Sequence, residues 1–230
     1  MSESLRVDVW SDIACPWCYI GKRRFESGER VWRESAGADA PDVELVFHSF
    51  ELAPDTPEDF AGDEVEYLSR HKGIAPEQAR QMLDHVTGIA ASVDLEYRFD
   101  RLQHTNTVLA HELIHFAAAN GRQLEMTERL MSAYFTEGRH LGRTEELVTL
   151  AGEVGLDTGA ASEALATHAF LSDVKADERQ AAELGINGVP FFVIDGTWAL
   201  SGAQDPATFA AALAHAHRER DSVPVGGASS

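Results

Sequence analysis

Cysteine is scarce in this sequence: of 230 residues only Cys15 and Cys18 are cysteine. A disulfide-braced scaffold is thereby excluded, and so is a four-thiolate zinc site, which needs two more sulfur ligands. Positive charge is scarce too. Nineteen Lys and Arg stand against 38 Asp and Glu, a formal net charge of −19. Nucleic acid and anionic lipid both require a positive face, so neither is expected as a partner. No run approaches the roughly 18 apolar residues of a membrane-crossing helix, so no membrane partner is expected either. Met1-Ser2-Glu3-Ser4 lacks a basic region leading into an apolar run, and the expectation is a cytoplasmic chain without a secretory signal. What remains is a hydrophobic fraction of 44% in a chain long enough to bury a full core. It suits one elaborated domain, or one domain with a second inserted into it.

The two cysteines stand three apart, in Cys15-Pro16-Trp17-Cys18. Before them, Leu5 to Trp10 alternates apolar and polar residues and reads as a strand. After them, Tyr19 onward reads as an amphipathic helix carrying Phe25 and Trp32 toward a core. Pro16 fits the first helical turn, where a missing N–H costs nothing. Unpaired N–H groups and the positive helix end favour a thiolate on Cys15, predicting an exposed, attacking thiol there. Cys18, one turn in, is the resolving thiol that closes an intramolecular disulfide. A reduced compartment strengthens this redox reading, because permanent structural disulfides are rare in it. Structural thiols or a mixed Cys/His metal site are the competing readings of the same spacing.

Val43 to Phe50 forms a second strand, parallel to the first because a helix connects them. From Glu64 to about Gly155 the period is helical, with breaks near Gly73, Pro76 and Gly121. A crossover needs one helix, so this block predicts an insertion that caps the Cys15 turn and leaves a cleft. Ala160 to Leu184 is helical again, broken near Phe170-Leu171-Ser172. Phe191 to Ile194 is a buried strand, Asp195-Gly196 a hairpin turn, Trp198 to Leu200 the partner strand, and Pro206 opens the last helix. Asp221 to Ser230, rich in Gly, Ser and Pro, is expected to be disordered. The fold class is α/β. Residues 1–55 and 156–220 form a discontinuous sheet domain, 56–155 an inserted helical cap and 221–230 the tail.

Three further places invite a functional reading. Pro190 precedes a strand; a cis Val189–Pro190 bond beside Cys15 would offer the Val189 backbone to an extended peptide. A trans edge-strand proline is the alternative. Asn106 is placed to cap the third inserted helix. His111-Glu112-Leu113-Ile114-His115 spells H-E-x-x-H, which on a helix aligns two histidines as zinc hydrolases do. Its extended form is absent and Glu137 has no supporting spacing as a third ligand, so no metal is expected.

Asp12-Ile13-Ala14-Cys15-Pro16-Trp17-Cys18-Tyr19-Ile20-Gly21-Lys22, Asn106-Thr107-Val108-Leu109-Ala110-His111 and Gly185-Ile186-Asn187-Gly188-Val189-Pro190-Phe191-Phe192 together resemble the DsbA-like thioredoxin superfamily. The resemblance is to its cytosolic FrnE-type dithiol–disulfide oxidoreductases and spans about residues 5 to 217. It implies a thioredoxin-like fold with an inserted helical domain, Cys15 as nucleophile, Cys18 as resolving thiol and a cis Pro190. Pro16, Trp17, Val189, Pro190 and Asn106 are the implied substrate-binding residues. Protein or peptide disulfides are the implied substrates; a low-molecular-weight thiol or a reductase is the redox partner, with no bound cofactor. The sequence departs from that pattern at Glu112, where an arginine is common, and in lacking a second cysteine pair. Hydroxychromene-carboxylate isomerases share the fold but use serine as nucleophile with glutathione as cofactor. A redox-sensing or chaperone-like interaction protein is the other alternative.

Overall fold

The computed structural model describes residues 4–222. Four strands, β1 (Leu5–Ser11), β2 (Val43–Ser49), β3 (Phe191–Ile194) and β4 (Trp198–Ser201), form one sheet in the order β2-β1-β3-β4. β1 pairs parallel with β2 and antiparallel with β3, which pairs antiparallel with β4. The turn between β3 and β4 places Asp195 at φ 53° and Gly196 at φ 65°, the two left-handed residues of a tight hairpin. This is the mixed α/β thioredoxin-like fold with an inserted helical subdomain that the sequence predicts.

Alternation on β1 decides the layering. Leu5, Val7 and Val9 point to one face, where Phe25 and Trp32 of α1 (Pro16–Ala36) and Phe209 and Leu213 of α9 (Pro206–Ser222) close over them. Trp10 points to the other face, against Ala181 of α8 (Leu171–Glu183) and Ile186. The sheet is thus sandwiched between helices. α1 and α9 approach closely because Gly28 has no side chain: a Cβ there would lie 2.6 Å from the Pro206 carbonyl oxygen and 2.7 Å from Phe209 Cβ. Gly28→Ala is therefore expected to destabilise the fold by about 2 kcal/mol, overpacking outweighing the helix propensity gained. A lower urea midpoint at unchanged slope checks it.

Between β2 and β3 run α2 (Glu64–Lys72), α3 (Pro76–Ala91), α4 (Val108–Ala119), α5 (Gln123–Ser132), α6 (Thr144–Glu153), α7 (Thr158–Ala166) and α8. Asp63 caps α2 by accepting the Glu66 N–H, and Pro76 opens α3. After α5 the chain makes a π-helical turn, Ala133–Glu137, ended by left-handed Gly138. The period predicts a helix from Met126 to Tyr134 or beyond; it starts three residues earlier, at Gln123, and runs on past Tyr134 as the π turn. Leu113, Met126, Leu130, Phe135 and Leu147 centre an apolar core that reaches Cys15, Cys18 and Tyr19. One core therefore joins the inserted helices to the start of α1. The junction is also ionic: Glu128 on α5 accepts the Tyr19 hydroxyl at 2.5 Å and Lys22 Nζ at 2.6 Å, and pairs with Arg23. Burial opposes its ionisation, but Lys22, Tyr19 and Arg23 hold its carboxyl below the ordinary range.

α9 extends through Ser222, so the terminal segment expected to lack order begins inside a helix; residues 223–230 lie outside those described. No helix among the described residues is long and apolar enough to cross a membrane.

Candidate active site

Cys15 sits at the head of α1 in extended conformation (φ −87°, ψ 113°), with Pro16 as the first helical residue. The Cys18 N–H donates to the Cys15 carbonyl at 3.0 Å, bringing the second cysteine under the first. The turn before Cys15 is fastened by Asp12, whose carboxylate accepts the N–H groups of Ala14 at 3.1 Å and Leu52 at 2.8 Å. Asp12 is buried. Desolvation would raise its pKa, but His111 and these two N–H groups bring it below the usual value. From the inserted subdomain, Tyr97 donates its hydroxyl to the Pro16 carbonyl at 2.6 Å. Cys18 is 2% exposed. Burial, followed by the neighbouring Cys15, pushes its pKa well up; the Ser11 hydroxyl and Asp12 N–H act the other way.

The Val189–Pro190 peptide bond is cis. The Cys15 thiol faces the Val189 carbonyl oxygen at 3.7 Å, and the Pro190 carbonyl accepts the Gly202 N–H at 2.8 Å. Gly21 makes this approach possible, since a Cβ there would stand 2.8 Å from Pro190 Cγ. The loop before β3 and the start of α1, 174 residues apart in sequence, thus meet at the thiol.

Beside Cys15 opens a cleft of about 320 Å³, walled by Pro16 and Trp17 on one side and by α2 and α3 on the other. Its lining is mostly apolar, with Leu52, Tyr67, Leu68, Met82, Leu83 and Phe99 prominent, and Lys72, His71 and His85 add polar groups. Trp17 is 38% exposed and forms part of the rim, whereas Cys15 is only 4% exposed. The openly exposed thiol expected from a helix start is corrected here: the subdomain packs over the turn, and Cys15 is reached through the cleft. Asn106 does not line it, although Thr105 and Thr107 do. Its side chain accepts the Val108 N–H at 2.9 Å and donates to the Pro54 carbonyl at 2.9 Å. Asn106 therefore fastens the loop after β2 to the start of α4, but the N-cap position itself falls to Thr107, one residue later than expected.

The H-E-x-x-H segment lies on α4, and its three side chains separate. His111 Nε2 stands 3.5 Å from Asp12 Oδ1, Glu112 pairs with His168 at 2.8 Å, and His115 Nε2 lies 3.1 Å from Asp177. Among the described residues no group of three or more His, Cys, Asp or Glu is arranged to hold a metal ion. Asp12, Tyr97 and Glu128 escape sequence reasoning as site residues. Asp12 lies inside the cysteine motif, but nothing local marks Tyr97 or Glu128.

Residues 6–214 match the DSBA-like thioredoxin domain. The chain belongs to this family. The DsbA family is one of thiol–disulfide oxidoreductases acting through a cysteine pair, and this member is such a redox enzyme. The chain is 38% identical to the probable DsbA oxidoreductase SCO1869 from Streptomyces coelicolor, covering 98% of this chain and 95% of that one, with a TM-score of 0.88. It is 29% identical to the uncharacterized protein YwbO from Bacillus subtilis, over 94% of this chain and all of that protein. The cytosolic disulfide reductase DsbM from Pseudomonas aeruginosa, solved with GSH, is similar in fold: TM-score 0.64 at 19% identity, over 93% of this chain and all of that one.

Proposed function

We propose that this DsbA-family protein is a cytoplasmic FrnE-type dithiol–disulfide oxidoreductase or isomerase in which Cys15 attacks and Cys18 resolves. The observation that carries the reading is the placement of Cys15 at the head of α1, on the cleft wall, with Cys18 one turn deeper. The Cys15 thiolate attacks a substrate disulfide, one sulfur leaves as thiolate, and Cys18 displaces the other to close Cys15–Cys18. A low-molecular-weight thiol or a reductase then returns the pair to dithiol; glutathione in the DsbM structure suits that role. Pro16, Trp17, Val189 and Pro190 form the substrate surface, while Asn106 supports the cleft from behind. The thioredoxin-like unit is 1–55 with 156–220, and 56–155 is its cap. The hydroxychromene-carboxylate isomerase alternative is disfavoured by a cysteine at the position where those enzymes carry serine.

Protein and peptide disulfides are the substrates this reading favours. The small exposure of Cys15 supports a second one, a low-molecular-weight disulfide that enters the cleft whole. Reduction of insulin and of oxidised glutathione by the same thiol donor separates the two. Insulin turnover by wild type supports the first reading. Turnover of the small disulfide alone assigns the second, and turnover of neither overturns both.

A further inference from the structure

Tyr97 lies in the connection between α3 and α4, yet both of its neighbours are tied down. The Glu96 carbonyl accepts the Thr136 hydroxyl at 2.8 Å, and the Arg98 N–H donates to the Phe135 carbonyl at 2.7 Å. Both partners belong to the π-helical turn Ala133–Glu137, a form that is rare in helices and frequent at functional sites. The Tyr97 ring is 5% exposed. It stacks on Phe135 with centroids 4.6 Å apart, and Phe99 meets it edge-on at 5.6 Å. A hydroxyl on a ring held this closely is aimed at one place, the Pro16 carbonyl at 2.6 Å.

That carbonyl stands between the two cysteines. Pro16 is the first residue of α1, so its carbonyl accepts the helix bond from four residues on and has a second lone pair for Tyr97. Helix ends fray, and this one carries the dithiol. The turn is held from within by the Cys18 N–H on the Cys15 carbonyl at 3.0 Å, and from outside by Tyr97. Burial, followed by Cys15 and Cys18, pushes the Tyr97 pKa up, so the hydroxyl stays protonated and donates.

We propose that Tyr97 is a positioning residue: from the inserted subdomain it holds the Pro16 carbonyl, keeps Cys18 within reach of Cys15, and so speeds closure of the Cys15–Cys18 disulfide. The proposal rests on the dithiol reading above. In the closing step Cys18 gives its proton to solvent and attacks Cys15 Sγ. The Cys18–Cys15 S–S bond forms, the bond from Cys15 Sγ to the substrate sulfur breaks, and the substrate leaves as thiolate with the electron pair. The dithiol thus passes two electrons to the substrate disulfide, and no other oxidant or reductant enters. A turn already ordered in the dithiol loses little freedom on closing, which raises the effective concentration of one sulfur at the other. Tyr97 does not line the cleft, so the first attack by Cys15 does not depend on it.

Stopped-flow mixing of reduced protein with a substoichiometric nitrothiobenzoate disulfide reads the two steps separately: Cys15 attack releases a first coloured thiolate, Cys18 resolution a second. Tyr97→Phe keeps the ring in its stack and removes one oxygen. It is expected to slow the second release about fivefold, the weight of one neutral hydrogen bond, while leaving the first within about twofold. Equilibration with glutathione and its disulfide should show the Cys15–Cys18 disulfide about fivefold less favoured in the variant. Site-specific p-aminophenylalanine at position 97 restores a donor in the same space and should return the second release to within about twofold of wild type. A second release at the wild-type rate in Tyr97→Phe overturns the proposal. Equal slowing of both releases overturns it too, since that marks a merely structural role, and so does slowing that persists with the restored donor. Absence of the first release in wild type fails the dithiol reading itself, and the proposal with it.

Discussion

Cys15→Ser is expected to reduce disulfide turnover to the rate of the thiol donor acting alone. A serine hydroxyl stays protonated near neutral pH and cannot form the mixed disulfide through which exchange proceeds. The loss should be chemical and not a matter of folding. Cys15 is held at the head of α1 by backbone bonds to Asp12 and Cys18, and among the described residues its sulfur has one carbonyl at hydrogen-bond range, that of Val189. An oxygen in place of that sulfur should change stability by no more than about 1 kcal/mol. Insulin reduction and urea unfolding on the same preparation test the two halves. Retained turnover in Cys15→Ser contradicts the assignment, and a collapsed urea midpoint would make the variant uninformative about chemistry, in which case Cys15→Ala replaces it.

The second large effect concerns stability and pH. His48 on β2 stands between two carboxylates, with Nε2 2.7 Å from Asp8 and Nδ1 2.9 Å from Asp177, and its ring stacks on Trp10. Desolvation disfavours its charged form, but Asp177 and Asp8 outweigh that and raise its pKa to about 9. Desolvation likewise opposes ionisation of Asp177, yet His115 and His48 take its pKa well below the usual carboxylate range. The folded protein holds the His48 proton more tightly than the unfolded chain, whose value is near 6.5. The stabilisation is therefore fully present below about pH 6.5 and is lost as pH rises through about 9. A folded value of about 9 against 6.5 corresponds to roughly 3 kcal/mol. His48→Gln is expected to lower the unfolding free energy at pH 6 by about that amount and by much less at pH 10. Urea unfolding of both proteins across this range reads the difference; a gap that stays constant with pH contradicts the charged-histidine account.

The reach of the sequence can be judged from these same residues. Cys15, Cys18, Pro16, Asp195-Gly196 and Pro206 announce their roles because the reasons are local: a helix start, a two-residue turn, a first-turn proline. The parallel β1–β2 pair follows from one connecting helix, and the inserted helices follow from their period. Long-range partners leave no such mark. Tyr97 reaches Pro16 across 81 residues and Glu128 reaches Lys22 across 106, and no period or spacing encodes either meeting. The same limit explains the thiol. A helix start predicts exposure, whereas α2 and α3, packed over the turn, confine Cys15 to a cleft wall. His111 shows the converse. Its local pattern suggests a zinc helix, but the structure turns its ring toward Asp12 and away from the partners of Glu112 and His115.

The central claim is that Cys15 is the attacking thiol and Cys18 the resolving one. Intact mass of the Cys18→Ala and Cys15→Ala variants after brief exposure to excess peptide disulfide tests it directly. Cys18→Ala should gain one peptide, and digestion should locate it on Cys15, because attack proceeds and nothing remains to resolve the adduct. Cys15→Ala should stay unmodified over the same interval, its remaining thiol being 2% exposed with a strongly raised pKa. An adduct on Cys18 in Cys15→Ala that forms as fast as the one on Cys15 would contradict the account.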